Sequence, residues 1–270
     1  MGIGIIGAGN MGGAIARGIV GAGLFESKDV FLCDVISEKA ETLSREIGIG
    51  TAATISDIAG KASTLLIAVK PQNMTECLQD LKDGVQPSHL IISIAAGITT
   101  AFIENAIGAG TRVVRVMPNT PALVGAGVSA ICSGSHATGE DLETTEGIFA
   151  ALGKTYRMEE SLIDAVTAVS GSGPAYLFLF AECLEQAALK VGLPGEHAAD
   201  IVAHTLYGAS KLLIESDEPP SMLRARVASP GGTTAAALKT LGERNFEESV
   251  IAAVISAHVR AQELGGMKKN

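Results

Sequence analysis

The chain has no tryptophan, and aromatic residues make up only 4% of it. A core without large rings must be built from Ala, Val, Ile and Leu, and a hydrophobic share of 47% supplies enough of them. Cysteine is scarce too. Cys33, Cys77, Cys132 and Cys183 form no CxxC pair and no zinc-type spacing, which argues against a disulfide framework or a metal site. All four are expected to be buried free thiols in a reducing compartment. Charge is sparse at 18% and its balance is acidic, with a net charge of -9. Nucleic acid is therefore not expected as a partner, because neutralising phosphates needs clustered Lys and Arg. An anionic ligand would have to be held by local positive potential, such as a helix N-terminus. No run of about 18 uninterrupted apolar residues occurs, so no membrane span is expected. The chain enters a strand pattern at once, with no signal-type segment, and a cytoplasmic location is the expectation.

A length of 270 residues fits about two domains at roughly 150 residues each. Residues 2–7 read as a buried strand and 10–22 as a helix. Residues 29–34 read as a second strand and 37–47 as an amphipathic helix. Further β-branched runs at 63–69, 89–95, 111–117 and 127–133 alternate with helical segments near 73–83, 99–106 and 139–151. Such alternation predicts an α/β fold, a doubly wound, mostly parallel sheet covered on both faces. The pattern then changes. From 161 to 266 no strand is evident, and helices fit 161–169, 175–191, 195–215, 233–242 and 246–264, separated by SGSGP (170–174), Gly192-Leu193-Pro194, Pro219-Pro220 and SPGG (229–232). The expected division is a Rossmann domain over 1–157 and an all-α domain over 158–270. The helical half carries apolar runs at 176–180 and 250–259 that it would struggle to hide alone, so a homodimer unit is expected, possibly within a larger homo-oligomer.

Gly7-Ala8-Gly9-Asn10-Met11-Gly12 is a GxGxxG, a weak signal by itself in a chain with 32 glycines. Its place between the first strand and the first helix gives it meaning. Gly7 permits the tight turn, Gly9 lets a pyrophosphate approach the backbone, and Gly12 lets the helix pack on the strand. Asp34 ends the second strand, where a carboxylate accepts from ribose hydroxyls and repels a 2′-phosphate. The alternative is that it caps a turn. These residues lean to NADH over NADPH.

In the second half, SPGGTTAAALKTL (229–241) has the grammar of a helix start, with Ser229 as N-cap, Pro230 as first helical residue, and Gly231 and Gly232 in the first turn. Glycines there bare the amides, and a small carboxylate is a natural guest. The hydroxyls of Thr233 and Thr234 lie at the same mouth. His89, His136, His197, His204 and His258 each stand in a structural context, and no acid–base couple is evident. That lack matters. Reduction of a carbonyl usually needs a proton donor, whereas a protonated imine already carries the charge that attracts hydride.

Taken together, IGAGNMGGAI (6–15), LLIAVKPQ (65–72), SIAAGIT (93–99), RVMPNTPALVGAG (115–127), VSGSGPAYLF (169–178) and ASPGGTTAAALK (228–239) resemble the pyrroline-5-carboxylate reductase family in order and across nearly the whole chain. The resemblance implies a Rossmann domain, an interlocking helical dimerisation domain, and hydride transfer from NADH or NADPH to Δ1-pyrroline-5-carboxylate, giving proline. It implies that Ile6, Gly7, Ala8, Gly9, Asn10 and Met11 hold the pyrophosphate. Ala68, Val69, Lys70 and Pro71 would line the cofactor, as would Ala95, Ala96 and Gly97, with Asn119 in the loop near the nicotinamide. Gly231, Gly232 and Thr233 would cradle the substrate carboxylate, beside Ser229. Thr234 would face the ring nitrogen as the catalytic hydroxyl. Two positions depart from the family pattern. Asp34-Val35-Ile36 replaces the Ser, Thr or Arg often found in members that prefer NADPH, and Arg226 replaces a smaller polar residue. The rival readings are a β-hydroxyacid or 6-phosphogluconate-type dehydrogenase and a non-catalytic NAD sensor. The former needs a helix-borne lysine beside its glycine cluster, and no lysine occurs between Lys154 and Lys190.

Overall fold

The structure is a computed structural model that describes residues 2–266. Eight strands form one sheet: β1 (Ile3–Ile6), β2 (Val30–Cys33), β3 (Gly50–Thr51), β4 (Thr64–Ile67), β5 (Leu90–Ser93), β6 (Arg112–Met117), β7 (Gly127–Ser133) and β8 (Gly153–Arg157). Their order is β3-β2-β1-β4-β5-β6-β7-β8. Every neighbouring pair is parallel except β6 and β7, which run antiparallel. The chain winds outward from β1 to β3, then resumes on the other side of β1 at β4. That reversal makes the carboxyl ends of β1 and β4 the topological switch point, where open α/β sheets bind their ligands.

Six helices cover this sheet: α1 (Asn10–Gly21), α2 (Ser37–Ile47), α3 (Ile55–Ala59), α4 (Met74–Lys82), α5 (Thr100–Ile107) and α6 (Gly139–Ala150). Strands buried on both faces explain the near-continuous Ile, Leu and Val runs. Ile3, Ile5, Leu66, Ile92 and Val114 pack with Ile15, Ala40 and Phe149 on one face. Ile6, Leu65, Ile67, Ile91 and Val113 pack with Ile58, Leu78 and Ile103 on the other. The expected doubly wound, mostly parallel sheet followed by helices is the fold observed.

Further helices are α7 (Ile163–Val166), α8 (Gly173–Lys190), α9 (Gly195–Glu215), α10 (Pro220–Val227), α11 (Thr233–Glu243) and α12 (Phe246–Gly266). The chain divides into two compact units. The first is Met1–Ser172 joined by the segment from Ala257 onward, and the second is Gly173–Ser256. The strand pattern ends at Arg157, where the sequence reading placed its boundary, but α7 and the C-terminal segment are compact with the sheet.

Two expectations need correction. SGSGP does not break a helix: residues 167–171 form a π-helical turn joining α7 to α8, closed by the Ser172 amide donating to the Thr167 carbonyl at 2.8 Å. Pro174 lacks the N–H that an α-helical continuation would use, so the helix widens instead of stopping. Glu160–Lys190 is thereby one continuous helical segment, long and apolar enough by composition alone to cross a membrane, although it contains no uninterrupted apolar run of spanning length. Cysteine burial also differs. Cys33, Cys77 and Cys132 are buried, but Cys183 on α8 is exposed. Burial pushes the thiols of Cys77 and Cys132 up to about 12, so both stay protonated and inert at neutral pH.

Candidate active site

In the first unit, the turn after β1 has to reverse within a few residues and clear β4. Gly7 adopts φ +110, a left-handed conformation that favours glycine, and a Cβ there would stand 2.7 Å from the Ala68 carbonyl oxygen. Gly12 is excluded from carrying any side chain, since its Cβ would lie 2.0 Å from the Gly7 carbonyl oxygen. Gly9 is different: nothing lies within 4 Å of its would-be Cβ. Gly7 and Gly12 serve the fold, while Gly9 leaves open space above the backbone.

That space lies at a bare helix start. Threonine side chains cap α3, α5 and α6, and α2 and α4 place a glutamate in the first turn. Helix α1 has neither. Its N-cap is Gly9, with no side-chain cap and no acid in the first turn. The first-turn amides and the positive end of the dipole are left for an anion.

Asp34 closes the other side of this turn. Its Oδ2 accepts from the Ala8 amide at 2.7 Å and its Oδ1 from the Ile36 amide at 2.8 Å. The carboxylate thus braces the glycine loop and caps a turn, as the alternative reading had it. An ionised carboxylate offers about four acceptor sites, so about two remain for hydroxyl donors. Val35, 90% exposed, and Ile36 present apolar surface beside it.

The other expected cofactor residues fall on the same carboxyl edge, but not all turn a side chain outward. Ile6 and Ala95 are buried in the core, so their side chains offer nothing to a ligand. Ala68, Val69 and Pro71 are half-buried and Lys70 is exposed after β4. Ala96 is half-buried after β5, and Gly97 packs against the backbone of Leu264 in the same unit. Asn119, after β6, is buried and committed to protein partners: Nδ2 donates to the Ser170 carbonyl and hydroxyl oxygens, and Oδ1 accepts from the Val128 amide.

In the second unit, helix α11 starts at Thr233, where the segment 233–242 was expected, and not at Pro230. Ser229 is not the N-cap. The Gly232 amide donates to the Ser229 carbonyl at 3.0 Å and Gly231 sits at φ +71, so Ser229-Pro230-Gly231-Gly232 is a tight turn with Pro second and Gly third. Proline fixes the second position of such a turn and glycine accommodates the left-handed third. Gly232 is the N-cap, with no side-chain cap and no acid in the first turn. The amides at the mouth of this 11-residue helix are as bare as those of α1. Thr234 is half-buried in that first turn and Thr233 is exposed. Arg226 pairs with Glu218 on the same unit.

Two histidines do stand beside carboxylates, His197 by Glu196 and His204 by Asp200, both exposed on α9. His89 is a buried structural residue, with Nδ1 accepting from the Gln86 amide and Nε2 against the Ala59 carbonyl. Among the described residues no cluster of His, Cys, Asp or Glu forms a metal site.

The chain matches two family models: one described as pyrroline-5-carboxylate reductase dimerisation, over residues 160–264, and one described as NADP oxidoreductase, coenzyme F420-dependent, over residues 2–97. It is 39% identical to the pyrroline-5-carboxylate reductase of Methanosarcina acetivorans, covering 97% of each chain. Among solved structures it is similar to a pyrroline-5-carboxylate reductase from Coxiella burnetii, with TM-score 0.90, 34% identity and 97% of each chain covered. It is likewise similar to the pyrroline carboxylate reductase of Plasmodium falciparum with NADP bound, with TM-score 0.87, 31% identity and 98% of each chain covered. Two glycine-capped helix mouths, one at the switch point of a doubly wound sheet and one on a helical unit, are thus found in a chain that belongs to the pyrroline-5-carboxylate reductase family.

Proposed function

We propose that this chain reduces the cyclic imine Δ1-pyrroline-5-carboxylate to proline with a nicotinamide cofactor. The observation that carries the reading is the pair of glycine-capped helix starts at Gly9 and Gly232, in a chain of this family. The bare amides of α1 and the open space at Gly9 suit a pyrophosphate, and Asp34 suits ribose hydroxyls. Residues 1–157 would carry the dinucleotide, and 158–270 the substrate site and the dimer contact. The Gly231, Gly232 and Thr233 amides would take the substrate carboxylate, a charge-assisted contact of the kind helix N-termini favour. The cofactor, when bound, supplies a hydride. The protein's share is mainly positioning, because the imine needs little acid–base help once its nitrogen is protonated. Thr234 is far too weak an acid to give up its proton, so its hydroxyl orients the ring nitrogen, which is protonated from solvent. Oxidation of NADH or NADPH that depends on added imine tests the reading.

Asp34 biases the choice of cofactor toward NADH. Its carboxylate beside a 2′-phosphate costs roughly 1–3 kcal/mol at partial burial. Asp34→Ser is expected to raise the NADPH-to-NADH ratio of kcat/KM by about tenfold or more, since about 1.4 kcal/mol is a factor of ten. Overall affinity should fall as well, because the Ala8 and Ile36 amides lose their acceptor. A wild-type enzyme that prefers NADPH, with a ratio unmoved by the substitution, rules this role out.

The second unit needs a second copy. Among its described residues, the buried hydrophobics are Ala198 and Val202, while Leu177, Phe178, Leu179, Tyr207, Ile214 and Ile251 are all more than half exposed. A helical unit with so little core of its own gains its stability by burying that surface against a partner. The apolar Glu160–Lys190 helix is read the same way, as an interface between copies and not a membrane span. Light scattering at micromolar concentration should give a dimer or a multiple of it, and a stable monomer would contradict this.

A further inference from the structure

Residues alternate faces along a strand, so Arg115, Met117 and Asn119 point the same way from β6 and the loop that follows it. All three meet the helical segment 160–171. Arg115, buried, pairs with Glu160 Oε1 at 3.0 Å and lies 3.9 Å from Asp164 Oδ1. Glu160 also accepts from the Thr100 amide at 2.9 Å and the Thr100 hydroxyl at 2.7 Å. A Cβ on Gly171 would stand 2.8 Å from Met117 Cε, so the methionine packs on the glycine. Asn119 Nδ2 donates to the Ser170 carbonyl at 3.2 Å and to the Ser170 hydroxyl at 3.0 Å, while Oδ1 accepts from the Val128 amide at 2.8 Å. This face of the strand is a rail on which the segment is docked, by an ion pair at its start and an amide at its end.

The orientation of the Asn119 amide is fixed by its partners. Only Oδ1 can accept from an N–H, and only Nδ2 can donate to a carbonyl, so the reverse flip loses both bonds. The Ser170 carbonyl has a reason to need that donor. Four residues on stands Pro174, which has no N–H for the bond an α-helix would make there. Asn119 donates in its place and ties the π-turn to the carboxyl edge of the sheet. Single π-turns are held at a cost and are frequent at functional sites.

We propose that Asn119 is a positioning residue for hydride transfer, acting through Ser170 and the π-turn and not by touching cofactor or substrate. This rests on the reduction proposed above. Two observations carry it. The amide has spent both its donors inside the protein, and the turn it holds lies at the sheet edge where a dinucleotide lies, directly before the chain leaves for the second unit at Gly173. A group that sets the approach of reacting atoms affects the rate of the chemical step more than ground-state binding, and a misplacement of about 1 Å costs up to about a hundredfold.

The test is steady-state kinetics of Asn119→Ala beside wild type, with ordinary and 4-deuterated cofactor, together with direct cofactor titration. The expected result is a kcat lowered about tenfold to a hundredfold. The kinetic isotope effect should increase as hydride transfer becomes limiting, and cofactor affinity should stay near wild type. Asn119→Gln keeps both amide functions one methylene farther out. It serves if the alanine variant does not fold, and the same pattern is expected of it. Weakened cofactor binding with kcat and isotope effect unchanged would make Asn119 a direct ligand and overturn the proposal. Wild-type kinetics in the variants would overturn it as well. A wild-type protein that does not reduce the imine refutes the activity itself, a result distinct from either.

Discussion

Gly9→Asp is expected to fold as well as wild type and to bind its nicotinamide cofactor about a hundredfold more weakly. Nothing stands within 4 Å of the new Cβ, so the fold has no objection. Aspartate is also a better N-cap than glycine by a few tenths of a kcal/mol, so Tm should hold or rise slightly. The same carboxylate would occupy the space and the amides proposed for the pyrophosphate. Two like charges about 4 Å apart at an effective dielectric of about 20 cost about 4 kcal/mol, and half of that already exceeds a factor of about ten. Gly12→Ala is the contrasting variant. Its Cβ would meet the Gly7 carbonyl oxygen at 2.0 Å, so the helix must shift, at about 1–3 kcal/mol for overpacking of this kind. Thermal unfolding and cofactor titration on the two variants separate stability from binding. Wild-type affinity in Gly9→Asp would remove the glycine loop from the cofactor site.

Thr234→Ala is expected to lower kcat/KM by about 5- to 150-fold without abolishing turnover. A single hydrogen bond to the ring nitrogen accounts for roughly 1–3 kcal/mol, whereas loss of an obligatory proton donor would cost far more. The structure sharpens the contrast with its neighbour. Thr234 is half-buried in the first turn of α11 and Thr233 is exposed, and Thr233→Ala leaves the proposed amide contact in place. Thr234→Ser retains the hydroxyl and should keep most activity. Steady-state kinetics on the three variants, with fold and oligomer verified, decides the matter. Equal losses at both positions would undermine the assignment, and full activity in Thr234→Ala would refute it.

Much of this architecture is written locally. Helices 37–47 and 195–215 and strand 127–133 have the bounds read from the sequence, because apolar period and flanking glycines or prolines agree there. What escaped the sequence reading has weak local signals. Strand β8 (GKTYR) is an edge strand with a mostly exposed, polar pattern, and β3 is two residues long. Helix α10 (PSMLRARV) is only eight residues long and intersperses its apolar residues with two arginines, so it shows no clear amphipathic stripe. In sequence the turn at 229–232 looks like a helix start because Ser-Pro opens both, and the left-handed φ at Gly231 decides between them. The glycine loop, the bare mouth of α11 and Asp34 were legible, since their chemistry lies within a few residues of chain. The commitment of Asn119 was not. Its partner Ser170 is 51 residues away, and only the fold brings the two together.

Delivery of hydride from the reduced nicotinamide to the imine carbon is the core of the proposed reduction. Purified protein should be incubated with Δ1-pyrroline-5-carboxylate and cofactor deuterated at C4, separately for NADH and NADPH, and the product examined by mass spectrometry and NMR. With cofactor deuterated on the face that is transferred, the expected product is proline carrying one deuterium, located at C5. Failure to form proline with either cofactor, or proline whose C5 hydrogen does not come from the cofactor labelled on either face, would contradict it.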